Sequence, residues 1–135
     1  MNYPKRILNN ILWGFYHDRF LTQSAFELAL IEYNESINKR NFSVNLAEII
    51  LYSPQVVIQY SYWDEESDDI VEPDILLESG NKVGFTSGEL LFKVHNEVCE
   101  KLQNEDHKFL EGLSLWEGEH PNYPNIPLYF LLQGS

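Results

Sequence analysis

Residues 54–69 read PQVVIQYSYWDEESDD, and the fold turns on how the first ten of them are read. Pro54 cannot continue a helix, and the residues after it are β-branched and aromatic. From Gln55 to Trp63, Val56, Ile58, Tyr60 and Tyr62 alternate with Val57, Gln59 and Ser61, the period of a strand with one buried face. A strand here divides the chain into a helical N-terminal part and a sheet region, which makes the expected class α+β.

The strand runs into an acidic window. Asp64, Glu65, Glu66, Asp68, Asp69, Glu72, Asp74 and Glu78 fall within fifteen residues that contain no Lys or Arg. These eight acids carry most of a formal net charge of −12, and the other 120 residues hold thirteen acids against nine bases. The excess is therefore local. A chain so charged repels nucleic acid and anionic membranes and favours a cation or a basic protein.

Toward the N-terminus, PKRILNNILWGFYHDRF places Ile7, Leu8, Ile11, Leu12, Phe15 and Tyr16 at helical spacing, with Pro4 suited to a first turn. A second helix is expected in TQSAFELALIEYNESINKRN, with Phe26, Leu30, Tyr33 and Ile37 on one face and Thr22 or Ser24 as its cap. A short third helix is expected from Ser43 to about Ile50. Toward the C-terminus, DILLES and KVGF read as short strands joined by a turn. FTSGELLFKVHNEVCEKLQNEDH reads as a helix over residues 86–103, with Thr86 and Glu89 as a capping box. Leu90, Leu91, Val94, Val98 and Leu102 form its apolar stripe, and Glu97 and Lys101 are spaced for an ion pair. KFLEGLSLW and PLYFLLQ are expected strands around a loop containing Pro121, Pro124 and Pro127. The expectation is one α+β domain over 1–135: N-terminal helices, then a mainly antiparallel sheet of four to five strands with the 86–103 helix packed on it. At 135 residues, 44% of them hydrophobic, the chain has the material for such a core.

A lone Cys99 rules out an internal disulfide. No signal-peptide pattern opens the sequence and no apolar run is long enough to span a membrane, so the expected location is cytoplasmic.

Each candidate chemistry has a plainer reading beside it. From Asp64 the window lacks the glycine that an EF-hand loop needs at its sixth position. A looser cation site is an alternative, as is a solvated loop that serves solubility. PDILLESGNK contains Asp74, Glu78 and Lys82, the residue types of a metal-dependent nuclease, but Lys82 follows Glu78 by four positions and the local charge opposes a polyanionic substrate. His95 and Cys99 share a helix face, yet apolar neighbours make Cys99 a core thiol. Ser87 and Ser114 sit in no nucleophile motif, and GFTSGE is a strand, turn and cap rather than a phosphate loop. Tyr60, Tyr62 and Trp63 serve a strand as core, or stand beside the acids as anchors of a protein-binding surface. His120, Tyr123 and Asn125 belong to the Pro-rich loop.

FTSGELLFKVHNEV, DHKFLEGLSL and PLYFLLQGS, from Phe85 to Ser135, together with the acidic charge and the lack of a catalytic constellation, resemble the immunity proteins of bacterial toxin–immunity systems, of the contact-dependent-inhibition or polymorphic-toxin type. The resemblance implies a non-enzymatic inhibitor, without cofactor or metal, that blocks the active site or substrate groove of a basic toxin, chiefly a nuclease. The contact residues expected from charge are Asp64, Glu65, Glu66, Asp68, Asp69, Glu72 and Asp74, with Tyr62 and Trp63 as anchors. The alternatives are a metal-dependent hydrolase using Asp74 and Glu78, and a regulatory or scaffold module.

Overall fold

The computed structural model describes residues 2–135. In chain order its elements are β1 (Arg6–Ile7), α1 (Gln23–Asn38), β2 (Ile49–Leu51), β3 (Gln55–Gln59), β4 (Tyr62–Asp64), β5 (Asp69–Val71), β6 (Asp74–Glu78), β7 (Phe85–Thr86), α2 (Ser87–Leu102), β8 (Phe109–Trp116) and β9 (Leu128–Gly134). The class is α+β. A five-stranded sheet has the order β1-β8-β9-β3-β6, and β2–β7 and β4–β5 form two small sheets. All neighbours in the main sheet are antiparallel except β3 and β9.

Both helices start where their caps demand. The Thr22 hydroxyl accepts from the Ala25 amide, and the Thr86 hydroxyl accepts from the Glu89 amide. The capping box is half made: the Glu89 carboxylate reaches the Gly80 amide at 2.7 Å and the Lys93 ammonium at 2.9 Å. All five stripe residues of α2 are buried, and they share one core with Val56, Ile58, Leu77, Leu113, Tyr129 and Leu131 of the sheet and with Phe26 and Leu30 of α1. α1 departs from its expected face. Its third buried residue is Asn34, while Ile37 is half exposed.

Four expectations need correction. The segment 4–20 is not a helix. Ile7 and Leu8 are buried at the end of β1 and the turn after it, and from Ile11 onward Ile11, Trp13 and Phe15 are buried while Leu12 and Tyr16 are exposed, so the period there is nearer two. β1 pairs with β8, Leu8 turns away with φ 60°, and the chain rejoins β8 where Gly14 faces Phe109. A Cβ at Gly14 would lie 3.1 Å from the Phe109 ring, a close approach that suits glycine. The expected 43–50 helix is a turn followed by β2, because Ile49 and Leu51 pair with β7 instead. The expected 55–63 strand breaks after Gln59. Tyr62 and Trp63 belong to the β4–β5 hairpin, and KVGF supplies strand only at Phe85.

Side-chain amides do the work that regular ladders do elsewhere. Asn34 accepts from the Leu12 amide and donates to the Leu12 carbonyl, both at 2.8 Å. Asn96 holds Phe20 in the same way, and Gln133 holds Ser61. Each amide satisfies both backbone groups of one residue in an irregular segment. Replacing Asn34 with Ala strands both Leu12 groups, and urea unfolding is expected to show a loss of roughly 2–3 kcal/mol. An unchanged midpoint would mean that water replaces the amide at no cost.

Candidate functional site

The acidic window forms a hairpin. β4 and β5 pair Tyr62 with Val71, Trp63 with Ile70 and Asp64 with Asp69, around a turn in which Asp68 takes a left-handed φ of 53°. An aspartate adopts that conformation more readily than most residues. The base of the hairpin is held on the body of the protein. Tyr62 stacks on Tyr60 at 5.9 Å, the Lys101 ammonium stands 5.1 Å from the Tyr62 ring, and the Trp63 amide donates to the Glu105 carboxylate at 2.9 Å. Burial, with Tyr62 and Glu97 alongside, pushes the Tyr60 phenol up to about 12, so it stays neutral. Lys101 attends Tyr62, and among the described residues it forms no ion pair with Glu97.

The outer side of the hairpin is apolar at its centre. Trp63 is 45% exposed and Ile70, its cross-strand partner, 59%. The next pair, Asp64 and Asp69, stands opposite one another on the other face, with Tyr62 and Val71, while Glu65, Glu66 and Asp68 are exposed in the turn and Glu72 is exposed just beyond β5. Like charges in direct cross-strand opposition destabilise a hairpin. Among the described residues none of these six carboxylates forms a salt bridge. Glu105 adds a further acid that the sequence reading did not connect with the site. Ile70 was also missed, although its place between Asp69 and Val71, opposite Trp63, repeats the alternation of β4.

Asp74 is set apart from the group. It lies on β6, where one oxygen accepts from the Gln59 amide at 2.9 Å and the other bonds His120 Nε2 at 2.8 Å. His120 Nδ1 accepts from the Asn122 amide, so Nε2 carries the proton and donates to Asp74. Both ring nitrogens are thereby engaged. Tyr123 packs on His120 at 5.1 Å, and the Pro-rich loop is tied across the sheet by this contact. Asn125 lines a cleft of about 840 Å³ between that loop and the N-terminal segment. Asp74 and Glu78 share a face of β6 but stand roughly 13 Å apart along it, too far to ligate one ion.

His95 and Cys99 are both core residues. His95 Nδ1 accepts from the Trp13 indole at 3.1 Å, and Nε2–H donates to the Asp18 carbonyl at 3.0 Å. Trp13, Phe15, Phe20 and Phe26 surround the ring. Burial holds the imidazole below its ordinary range and pushes the Cys99 thiol up. The first shift sets the sign of the pH dependence. Below about pH 6.5 the unfolded chain protonates this histidine and the folded chain does not, so stability falls as pH drops from 6.5 toward the lower folded value. His17, also lowered by burial, acts in the same direction. Unfolding free energy measured from pH 7.5 to 5.5 is expected to decline, with a shallower slope in His95→Gln. A wild-type slope of zero would contradict the neutral assignment.

Comparison with family models, with curated proteins and with solved structures found no match to this chain. Among the described residues no helix is long and apolar enough to cross a membrane.

Proposed function

We propose that this protein is a non-enzymatic inhibitor that binds a basic protein through the β4–β5 hairpin, and that the partner is a toxin, in the first place a nuclease, whose substrate groove the hairpin occupies. One observation carries the reading. The exposed Trp63–Ile70 pair lies on one face of a hairpin whose tip, far end and other face carry carboxylates that have no basic partner among the described residues. An apolar anchor with a charged rim suits a protein interface, where the anchor supplies affinity and the rim supplies steering and selection by charge. The carboxylates would take the positions of substrate phosphates against the toxin's cations. Repulsion between Asp64 and Asp69 is relieved when a cation approaches, so the partner removes a cost that the free hairpin bears.

The bacterial-immunity reading and the cytoplasmic location rest on the resemblance of Phe85–Ser135 and on the charge argument. The test is hydrogen exchange on the mixture of this protein with the product of the neighbouring gene. Protection is expected across Tyr62–Glu72. Protection confined to other elements would remove the hairpin from the interface.

A further inference from the structure

β6 is an edge of the main sheet, with β3 as its one neighbour. The Ser79 amide bonds the Pro54 carbonyl, and the Tyr60 amide bonds the Pro73 carbonyl. These two bonds fix the phase of the β3–β6 ladder. Bonded pairs alternate in an antiparallel ladder, so Ile75 and Leu77 turn their backbone toward β3, and Asp74, Leu76 and Glu78 turn theirs outward. Of the outward groups, the Glu78 carbonyl is met by the Lys93 ammonium, and the amide and carbonyl of Leu76 have no partner among the described residues. A groove of about 340 Å³ runs beside this edge, lined by Leu76 together with Phe92, Lys93 and Asn96 of α2 and by Arg19. A half-open edge of five residues with an apolar side chain at its centre is a template for strand addition.

We infer that β6 accepts an extended, positively charged segment of a partner protein as a sixth, antiparallel strand. The side chains of Asp74, Leu76 and Glu78 lie on one face of the sheet. The complementary strand carries Lys or Arg opposite the exposed Glu78, an apolar residue opposite Leu76, and a second cation drawn by the charge of Asp74, whose two oxygens are already held by Gln59 and His120, a spacing of cation, apolar residue and cation at alternate positions. The edge is poorly made for a second copy of this chain, because antiparallel pairing about Leu76 sets Asp74 of one copy against Glu78 of the other. Only Glu72 and Pro73 separate β5 from β6, so one basic partner can reach both the hairpin and the edge. Only the partner's positive charge is taken from the proposed function, and no toxin is needed for the test.

The probe is the peptide acetyl-GKTVTKG-amide, titrated into the full chain while the exchange of the Leu76 amide is followed. Protection of that amide is expected, together with at least a tenfold loss of affinity when the peptide valine is N-methylated. Leu76→Pro removes the outward amide and no bond to β3, and it is expected to abolish binding with an unchanged circular dichroism spectrum. Should that variant fail to fold, Glu78→Lys serves instead: it should bind acetyl-GETVTKG-amide better than the wild type does. Equal binding of the N-methylated peptide, no binding of the parent peptide, or Leu76 protection that appears by self-association alone would each overturn the inference. The Asp64→Lys/Glu66→Lys/Asp68→Lys variant should retain peptide protection, which separates failure at the edge from failure at the hairpin.

Discussion

Lysine at positions 64, 66 and 68 together is expected to weaken the complex with a basic partner by on the order of 100- to 1,000-fold. Each reversal exchanges an exposed attraction of about 0.2–1 kcal/mol for a repulsion of similar size, and three of them approach 3–4 kcal/mol. The loss should shrink as salt rises, because screening weakens the attraction and the repulsion alike. The fold should survive. Glu66 and Asp68 accept no hydrogen bond among the described residues, and Asp64 accepts a long one, 3.3 Å, from the Ser67 amide. Lys at position 64 would also face Asp69 with the opposite charge, so the hairpin should become slightly more stable. Calorimetric titration across ionic strength, beside thermal unfolding, reads both effects. Wild-type affinity in this variant would rule out the acidic surface as the binding site.

Trp13→Ala is expected to cost roughly 3–5 kcal/mol, a large share of the 5–15 kcal/mol typical of a domain. The indole is 1% exposed, stacks with His17 at 4.7 Å and meets Phe26 edge-on at 5.1 Å. Its N–H is also the donor to His95 Nδ1, and removing it leaves that nitrogen buried without a partner. Trp13→Phe separates the two contributions. It keeps most of the packing and loses the donor, so it should cost about 1–3 kcal/mol. Urea midpoints would rank the wild type above Phe and Phe above Ala. A cost below about 1 kcal/mol for Ala would mean that the aromatic pocket does not anchor the N-terminal segment.

The parts of the fold that depend on local chemistry were legible. Thr22 and Thr86 mark two helix starts by their own hydroxyls, and the apolar stripe of α2 needs no distant partner to be recognised. β8 and β9 read correctly because both faces of each strand are largely apolar. The segment 4–20 misled because its backbone is satisfied by Asn34, Asn96 and Lys108, all remote in sequence, and no periodicity records such bonds. β2 and β7 exist only as each other's partners and are too short to show a pattern. At the candidate site, the acids and Trp63 were visible as composition. The hairpin that gathers five of them was not, because charge in a run reads as a solvated loop. Asp74 is close to them in sequence, but its pairing with Gln59 and the reach of His120 place it elsewhere.

The most direct test is survival on co-expression. The product of the neighbouring gene would be expressed alone, with the wild-type protein, and with the triple lysine variant, and surviving cells counted. The account predicts death with the neighbour alone, rescue by the wild type and little rescue by the variant. A neighbour that is harmless, or one whose toxicity the wild type does not relieve, would contradict the proposed function, and full rescue by the variant would contradict the hairpin as its means.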